Sequence, residues 1–486
     1  MLNILLALAT AGLLILAFPR FNFAFLAAVA IAPLLVALAR ETRPWRRLLL
    51  GWLSGIAYWA GTCYWIQFVL EVHGGLGVFG SWGAFLLFCV SRALPLAVFG
   101  LAAGVVIRRV YAVPVVAAIW VALERTNAPL GFAWQALGNA GINMSVPLRL
   151  APYTGVYGLS FVFAMMGTAV AVALLRQRRR EMAWLGALLL LYLLPGLPDA
   201  RSGAERAVLV QPNLSQTQDW TWSALTQARV DIAALSLQTA LRGDGTPPRL
   251  LVWPEVPAPF LYDGDPEFRQ QMIRLARAAR TTLVFGAVAR APDGAPLNSA
   301  VVLGPGGEFL GRYDKMNLVP FGEFVPPLFG FVNRITQGAG DFQPGKSLMV
   351  FPAGGRRFGT FICYEAALPH FVRRFSRAGA EVFVNISNDG YFGHSAAREQ
   401  HLSLVRMRAA ENHRWILRST NDGITVAVDA AGRLVDYVPP FERDALDTRF
   451  AFVSDETVYA RYGDWFPLVC AIAGVAALIP RRRRGV

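Results

Sequence analysis

The sequence predicts two architectures on one chain: a polytopic bundle of transmembrane helices, and an α/β layered domain carried outside the membrane. Three observations lead there. The 486 residues are 55% hydrophobic with a mean hydropathy of +0.41, too apolar for an ordinary soluble chain. The apolar segments crowd into residues 1–200 and return once near 465–480. Between them lies a stretch of ordinary globular composition, long enough for one large core, in which strand-sized apolar runs alternate with amphipathic helical patterns.

Met1 to Phe18 is read as a retained first helix, because it lacks a basic leader and Phe18-Pro19-Arg20 is a poor cleavage site. Further spans are expected at 23–39, 48–70, 80–107, 112–124, 156–175, 182–197 and 465–480, eight in all, the fifth cut short by Glu124 and Arg125. Cytoplasmic loops hold Lys and Arg in excess. One alternating set of connections carries Arg40, Arg43, Arg46 and Arg47, then Arg108 and Arg109, then Arg176, Arg178, Arg179 and Arg180, then Arg481 to Arg484; the other carries Arg20, Arg125 and Arg149. Both termini are therefore expected in the cytoplasm and the globular domain outside. The expected domains are 1–200 with seven helices, 205–458 as the exported domain, and 464–486 with the eighth helix and an arginine-rich tail. Most of the +14 net charge sits in these anchors, so the basic balance implies no nucleic-acid partner.

Within the exported domain, strands are expected at 207–211, 250–253, 282–288, 299–303, 309–313, 348–351, 358–362, 382–386, 416–419 and 424–428. Helical periodicity covers 221–241, 266–280, 367–378 and 396–412. Strands interleaved with a few helices imply stacked α/β layers. No internal repeat of fixed period is visible.

The chemistry concentrates at three strand ends. Of the 46 Lys plus Arg, only Lys315 and Lys346 are lysines, so Lys315 is expected to do something arginine cannot. Cys363 is the one cysteine outside the expected spans, and a lone thiol in an oxidising compartment is either buried and inert or chemically used. Glu255 closes Trp253-Pro254-Glu255 and would act as base from an apolar cleft. Lys315 would face a developing oxyanion and help to keep the sulfur charged. His370, His394, His401 and His413 show neither a nucleophile motif nor metal-ligand spacing, so neither metal nor cofactor is expected. The loop from Val319 to Val332, with Phe321, is apolar enough to dip into lipid or line a path for acyl chains.

Val210-Gln211-Pro212-Asn213, Trp253-Pro254-Glu255, Tyr313-Asp314-Lys315, Leu318-Val319-Pro320-Phe321-Gly322-Glu323, Cys363-Tyr364-Glu365, Ser387-Asn388-Asp389 and Arg418-Ser419-Thr420-Asn421 follow one another in an order that resembles the nitrilase, or carbon–nitrogen hydrolase, superfamily. With eight spans and an exported domain, the chain is similar to the apolipoprotein N-acyltransferase family. The resemblance implies an αββα sandwich with Glu255 as general base, Lys315 as oxyanion stabiliser and Cys363 as nucleophile. It implies Glu323, Tyr364 and Glu365 as supporting residues, with Trp220, Phe321, Asn388 and Asp389 at the substrate. The implied partners are a phospholipid acyl donor, a diacylated apolipoprotein acceptor and the bilayer of a bacterial inner membrane, with the catalytic domain in the periplasm. Asn317 stands where histidine is expected, and Gly390-Tyr391 where Ala-Trp is common. Two other readings fit the residues: a membrane-tethered amidase or nitrilase hydrolysing a small amide, and a non-enzymatic lipid-capture or transport module. The scarcity of ionisable groups inside the spans weighs against transport.

Overall fold

The structure, a computed structural model, describes all residues except 130, 177–178, 200–202, 216–219, 243–244, 320–321, 325–341 and 480–486. It divides into two compact units, one of residues 1–67, 82–197 and 462–486, the other of residues 68–81 and 198–461. Residues 68–81, which the sequence placed within the helical domain, thus group with the α/β unit.

The first unit is helical: α1 (Leu2–Ala17), α2 (Ala32–Arg40), α3 (Pro44–Thr62), α4 (Trp65–Val72), α5 (Gly77–Arg92), α6 (Leu94–Val106), α7 (Ala112–Arg125), α8 (Val156–Leu174) and a C-terminal helix Trp465–Leu478, with α4 and α5 each continuing into residues 68–81. Each expected span is helical over most of its described residues, with differences in kind: the span expected at 23–39 opens as a 3₁₀ helix, Ala24–Ala28, before α2, and that expected at 80–107 divides into α5 and α6. The span expected at 48–70 breaks into α3 and α4, and Arg179–Leu193 winds as a 3₁₀ helix. Gly77–Val106 and Val156–Leu174 have the length and hydropathy of membrane spans; Leu2–Ala17, Ala24–Arg40, Glu181–Leu193 and Trp465–Leu478 are shorter apolar helices. Helices α3 and α6 approach so closely that a Cβ on Gly51 would lie 2.2 Å from the Leu96 carbonyl oxygen, and one on Gly100 would lie 2.5 Å from that of Arg47. Small residues supply such contact where lipid removes the hydrophobic drive for helices to pair.

Among the described residues, the second unit is built on twelve strands. These are β1 (Glu205–Gln211), β2 (Leu250–Val252), β3 (Thr282–Arg290), β4 (Pro296–Leu303), β5 (Phe309–Asp314), β6 (Val350–Ala353), β7 (Arg356–Ile362), β8 (Val382–Ser387), β9 (Ile416–Thr420), β10 (Thr425–Val428), β11 (Leu434–Val438) and β12 (Asp444–Phe450). They form two six-stranded sheets, ordered β12-β1-β2-β3-β4-β5 and β6-β7-β8-β9-β10-β11. Read in that direction, both sheets run antiparallel, parallel, parallel, antiparallel, antiparallel. A repeat invisible in the sequence is thus present in the topology, with β12 returning from the end of the domain to complete the first sheet.

Helices α9 (Trp222–Leu241) and α10 (Pro266–Ala279) cover the first sheet, and α11 (Pro369–Arg377) and α12 (Ala397–Asn412) the second, which gives the expected αββα sandwich. Phe260, Phe268, Met272 and Phe285 fill the first helix–sheet layer, where Trp253 donates to Ser236 Oγ at 2.8 Å. The two sheets are stitched by polar residues of the outer motifs: Ser419 Oγ donates to the Val210 carbonyl at 2.7 Å, and Thr420 Oγ1 to Gln211 Oε1 at 3.2 Å. These two buried hydroxyls thus find acceptors, as buried donors must where water is excluded. Arg206 takes the carbonyls of Thr239, Ala240 and Arg242 at the C-terminus of α9 and pairs with Asp447, so one cation closes both a helix end and the β1–β12 edge.

Candidate active site

Glu255 lies three residues beyond β2, in a segment held against β3: Trp253 N–H donates to Val284 O, and Gly286 N–H to Pro254 O. Only glycine permits this approach. A Cβ at 286 would stand 2.4 Å from the Pro254 oxygen and 2.8 Å from the Glu255 Cα. Lys315 follows β5 directly, its N–H donating to Asn298 O on β4 and its carbonyl accepting from Gly345 N.

These segments bring three charged groups together away from water. Lys315 is 1% exposed, and its Nζ donates to Glu255 Oε1 and Glu323 Oε1, both at 2.9 Å. Asn298 Nδ2 bridges the same two oxygens at 2.7 and 2.6 Å. Asn388 N–H donates to Glu255 Oε2 at 3.0 Å, and Val319 N–H to Glu323 Oε2 at 2.8 Å. Glu255 therefore does not sit in the apolar cleft expected of it. An ionised carboxylate offers about four acceptor positions; among the described residues three are filled, two on Oε1 and one on Oε2. An ammonium has three donors; Lys315 spends two on carboxylates. Burial works against its charge, but Glu255, Glu323 and the Cys363 sulfur outweigh it and hold the lysine well above its ordinary range.

Cys363 begins a 3₁₀ turn, Cys363–Ala367, immediately after β7, and has a left-handed backbone with φ of 48°. Such a conformation in a residue other than glycine persists only where its surroundings dictate it. Burial, and after it the Glu255 carboxylate, push the thiol well up, against the opposing pull of Lys315. Lys315 does favour the charged sulfur, as expected, but burial and Glu255 act in the opposite sense and outweigh it.

The expected supporting and substrate residues divide into distinct roles. Glu365, fully buried, accepts from Tyr313 Oη, Met316 N, Asn317 N and Ile362 N at 2.7–3.0 Å, so it ties the Lys315 segment to the Cys363 segment. Tyr364 is buried beside the nucleophile. Asn388 holds Glu255 through its backbone, and its Nδ2 donates to Val256 O at 3.3 Å. Asp389 is also fully buried: both its oxygens take Arg418 Nη2, at 2.9 and 2.7 Å, and Ser387 Oγ donates to Oδ1 at 2.9 Å. Burial alone would raise the Asp389 carboxyl, but Arg418 and His401 hold it far below its usual range. Asn388 and Asp389, both expected at the substrate, are thus buried and hydrogen-bonded to protein groups of the site. Trp220 is half-buried against the α9–α10 side of the first sheet. Phe321, and most of the apolar loop from Val319 to Val332, lie outside the described residues.

Sequence reasoning missed Asn298 and Gly286, and noted Tyr391 only as a departure from the family's pattern. Asn298 is a lone amide in the apolar run of β4, which is a readable signal. Tyr391 packs edge-on against His73 with centroids 4.8 Å apart.

Comparison with known proteins agrees with this architecture. The carbon–nitrogen hydrolase family profile matches residues 206–454, and that of the apolipoprotein N-acyltransferase N-terminal domain matches residues 10–169. The apolipoprotein N-acyltransferase of Geobacter metallireducens is 35% identical, across 99% of this chain and 96% of its own length. That of Methylococcus capsulatus is 33% identical with the same coverage, and that of Azotobacter vinelandii 34% identical over 98% of this chain and 93% of its own. A solved nitrilase-superfamily amidase from Nesterenkonia aligns with 52% of this chain and 92% of its own at 20% identity and a TM-score of 0.39, too remote a likeness to bear on the assignment. Two profiles on consecutive parts of the chain, and relatives alike from end to end, agree that this chain belongs to the apolipoprotein N-acyltransferase family, membrane acyltransferases of lipoprotein biosynthesis.

Proposed function

We propose that the chain transfers an acyl group from the sn-1 position of a phospholipid, phosphatidylethanolamine in the first instance, through a thioester on Cys363 to the α-amine of an N-terminal diacylglyceryl-cysteine. The observation that carries this reading is the pairing of Lys315 Nζ with Glu255 and Glu323 at 2.9 Å beside a left-handed, buried Cys363. Glu255 takes the thiol proton on Oε2 as sulfur attacks the ester carbonyl. Net charge in the pocket is unchanged by that transfer, which makes it affordable in a buried site. The oxygen of the tetrahedral adduct meets the third N–H of Lys315. Collapse expels the lysophospholipid oxygen, which is protonated from Glu255. The acceptor amine then attacks the thioester, loses its proton to Glu255, and the leaving sulfur is reprotonated from it.

Glu323 and Asn298 keep the ammonium and the base in register, and Trp220 is assigned to the substrate side. The unit of residues 198–461 is assigned to the periplasmic face of the inner membrane and both termini to the cytoplasm. Alternation of arginine-rich and arginine-poor connections supports that topology. A phosphatase reporter fused after residue 205 should be active and one fused after residue 176 silent; the reverse would refute the topology. Two half-reactions through one site require ping-pong kinetics. Initial rates measured against phosphatidylethanolamine and a diacylated lipopeptide should give parallel double-reciprocal lines. Intersecting lines would mean that both substrates bind before chemistry, and the thioester route would fall.

A further inference from the structure

His401 lies on α12 and is fully buried. Its Nε2 is 3.0 Å from the carbonyl oxygen of Cys363, an acceptor only, so this nitrogen carries the proton. On the other side of the ring, Nδ1 lies 3.2 Å from Arg418 Nη2 and 3.1 Å from Asp389 Oδ1. Arg418 can donate to Nδ1 when the ring is neutral, and Asp389 can accept from it when the ring is charged. Nε2–H faces Cys363 in both states. Burial and, after it, the Arg418 guanidinium lower the histidine below its usual range, against the opposing pull of Asp389.

The nucleophile's unusual backbone is therefore gripped on two sides. Before it, Ile362 N–H donates to Glu365 Oε2 at 2.8 Å; after it, His401 holds the Cys363 carbonyl. A left-handed residue with a side chain needs such restraint, since relaxation to an ordinary backbone would swing the Cβ and the sulfur elsewhere. We propose that His401 is a positioning residue for acyl transfer, acting through its hydrogen bond to the Cys363 carbonyl, with Asp389 and Arg418 fixing the orientation of the ring. This rests on Cys363 being the nucleophile.

The test uses the full-length enzyme in detergent, with p-nitrophenyl butyrate as acyl donor and Cys363→Ala as control. His401→Leu removes the donor, whereas His401→Gln places an amide N–H at similar reach. His401→Leu should lower kcat for thioester formation about 100-fold, the scale of a misplaced reacting atom, with KM within about twofold. His401→Gln should recover to within about tenfold of wild type, with an unshifted pH profile, since the hydrogen bond does not depend on titration of the ring. Wild-type kcat in His401→Leu, or a folded His401→Gln as slow as His401→Leu, would overturn the inference. If His401→Leu does not fold, His401→Asn, whose amide is one methylene short, replaces it, and equal rates for Asn and Gln would overturn it. Turnover by Cys363→Ala would instead remove the nucleophile assignment beneath it.

Discussion

A tetrahedral ammonium has three N–H bonds, and Lys315 points two of them at Glu255 and Glu323, which leaves the third for an incoming oxyanion. A planar guanidinium cannot divide its donors among three such directions on so short a path. Lys315→Arg should therefore lower acyl-enzyme formation by about 100-fold or more, the usual cost of losing one oxyanion donor, although the charge is kept. A wild-type rate would show that charge alone suffices. The upward push of burial and Glu255 on the Cys363 thiol makes a second prediction at this scale. A raised thiol pKa puts the ionised fraction at higher pH, so alkylation of Cys363 by iodoacetamide should still be rising above about pH 8.5, where an ordinary cysteine is half ionised. A plateau by neutral pH would mean a preformed thiolate and a different role for Glu255.

Strand ends, and what lies across from them, decide how the site is assembled. β3 contributes no functional side chain to it, yet Gly286 sets how near the Glu255 segment can come. Gly286→Ala should cost about 1–3 kcal/mol of stability through overpacking and lower kcat disproportionately by displacing the base. Thermal unfolding and single-turnover acylation on the same sample separate the two effects; full activity would show that the segment can yield. The same strand explains what was legible. Glu255, Lys315 and Cys363 could be read from the chain because each closes an apolar run, and ten such runs became ten strands. β11 and β12 were missed because β11 is exposed along most of its length and β12 carries Asp444, Asp447 and Arg449 among its apolar residues. Asn298, a lone amide in an apolar strand, carried a readable signal, whereas Gly286 was missed and His401 set aside because their importance lies in cross-strand or cross-helix neighbours that no local spacing encodes. The duplicated sheet topology was hidden for the same reason: strand direction and order repeat while the residues do not.

At the scale of the molecule, an αββα unit with a buried Glu–Lys–Cys cluster shares one chain with helices apolar enough for lipid. That combination suits chemistry on acyl chains, because the donor ester and the lipidated acceptor both reside in a bilayer. Every step of the proposed transfer passes through one covalent species. Full-length enzyme incubated with phosphatidylethanolamine of a single acyl chain length, without acceptor, should gain the mass of one acyl group. Peptide mapping should place it on Cys363, and addition of a diacylated lipopeptide should discharge it. Cys363→Ala should gain nothing. An acyl group found on another residue, or product formed with no adduct ever detectable in rapid-quench samples, would contradict the thioester mechanism.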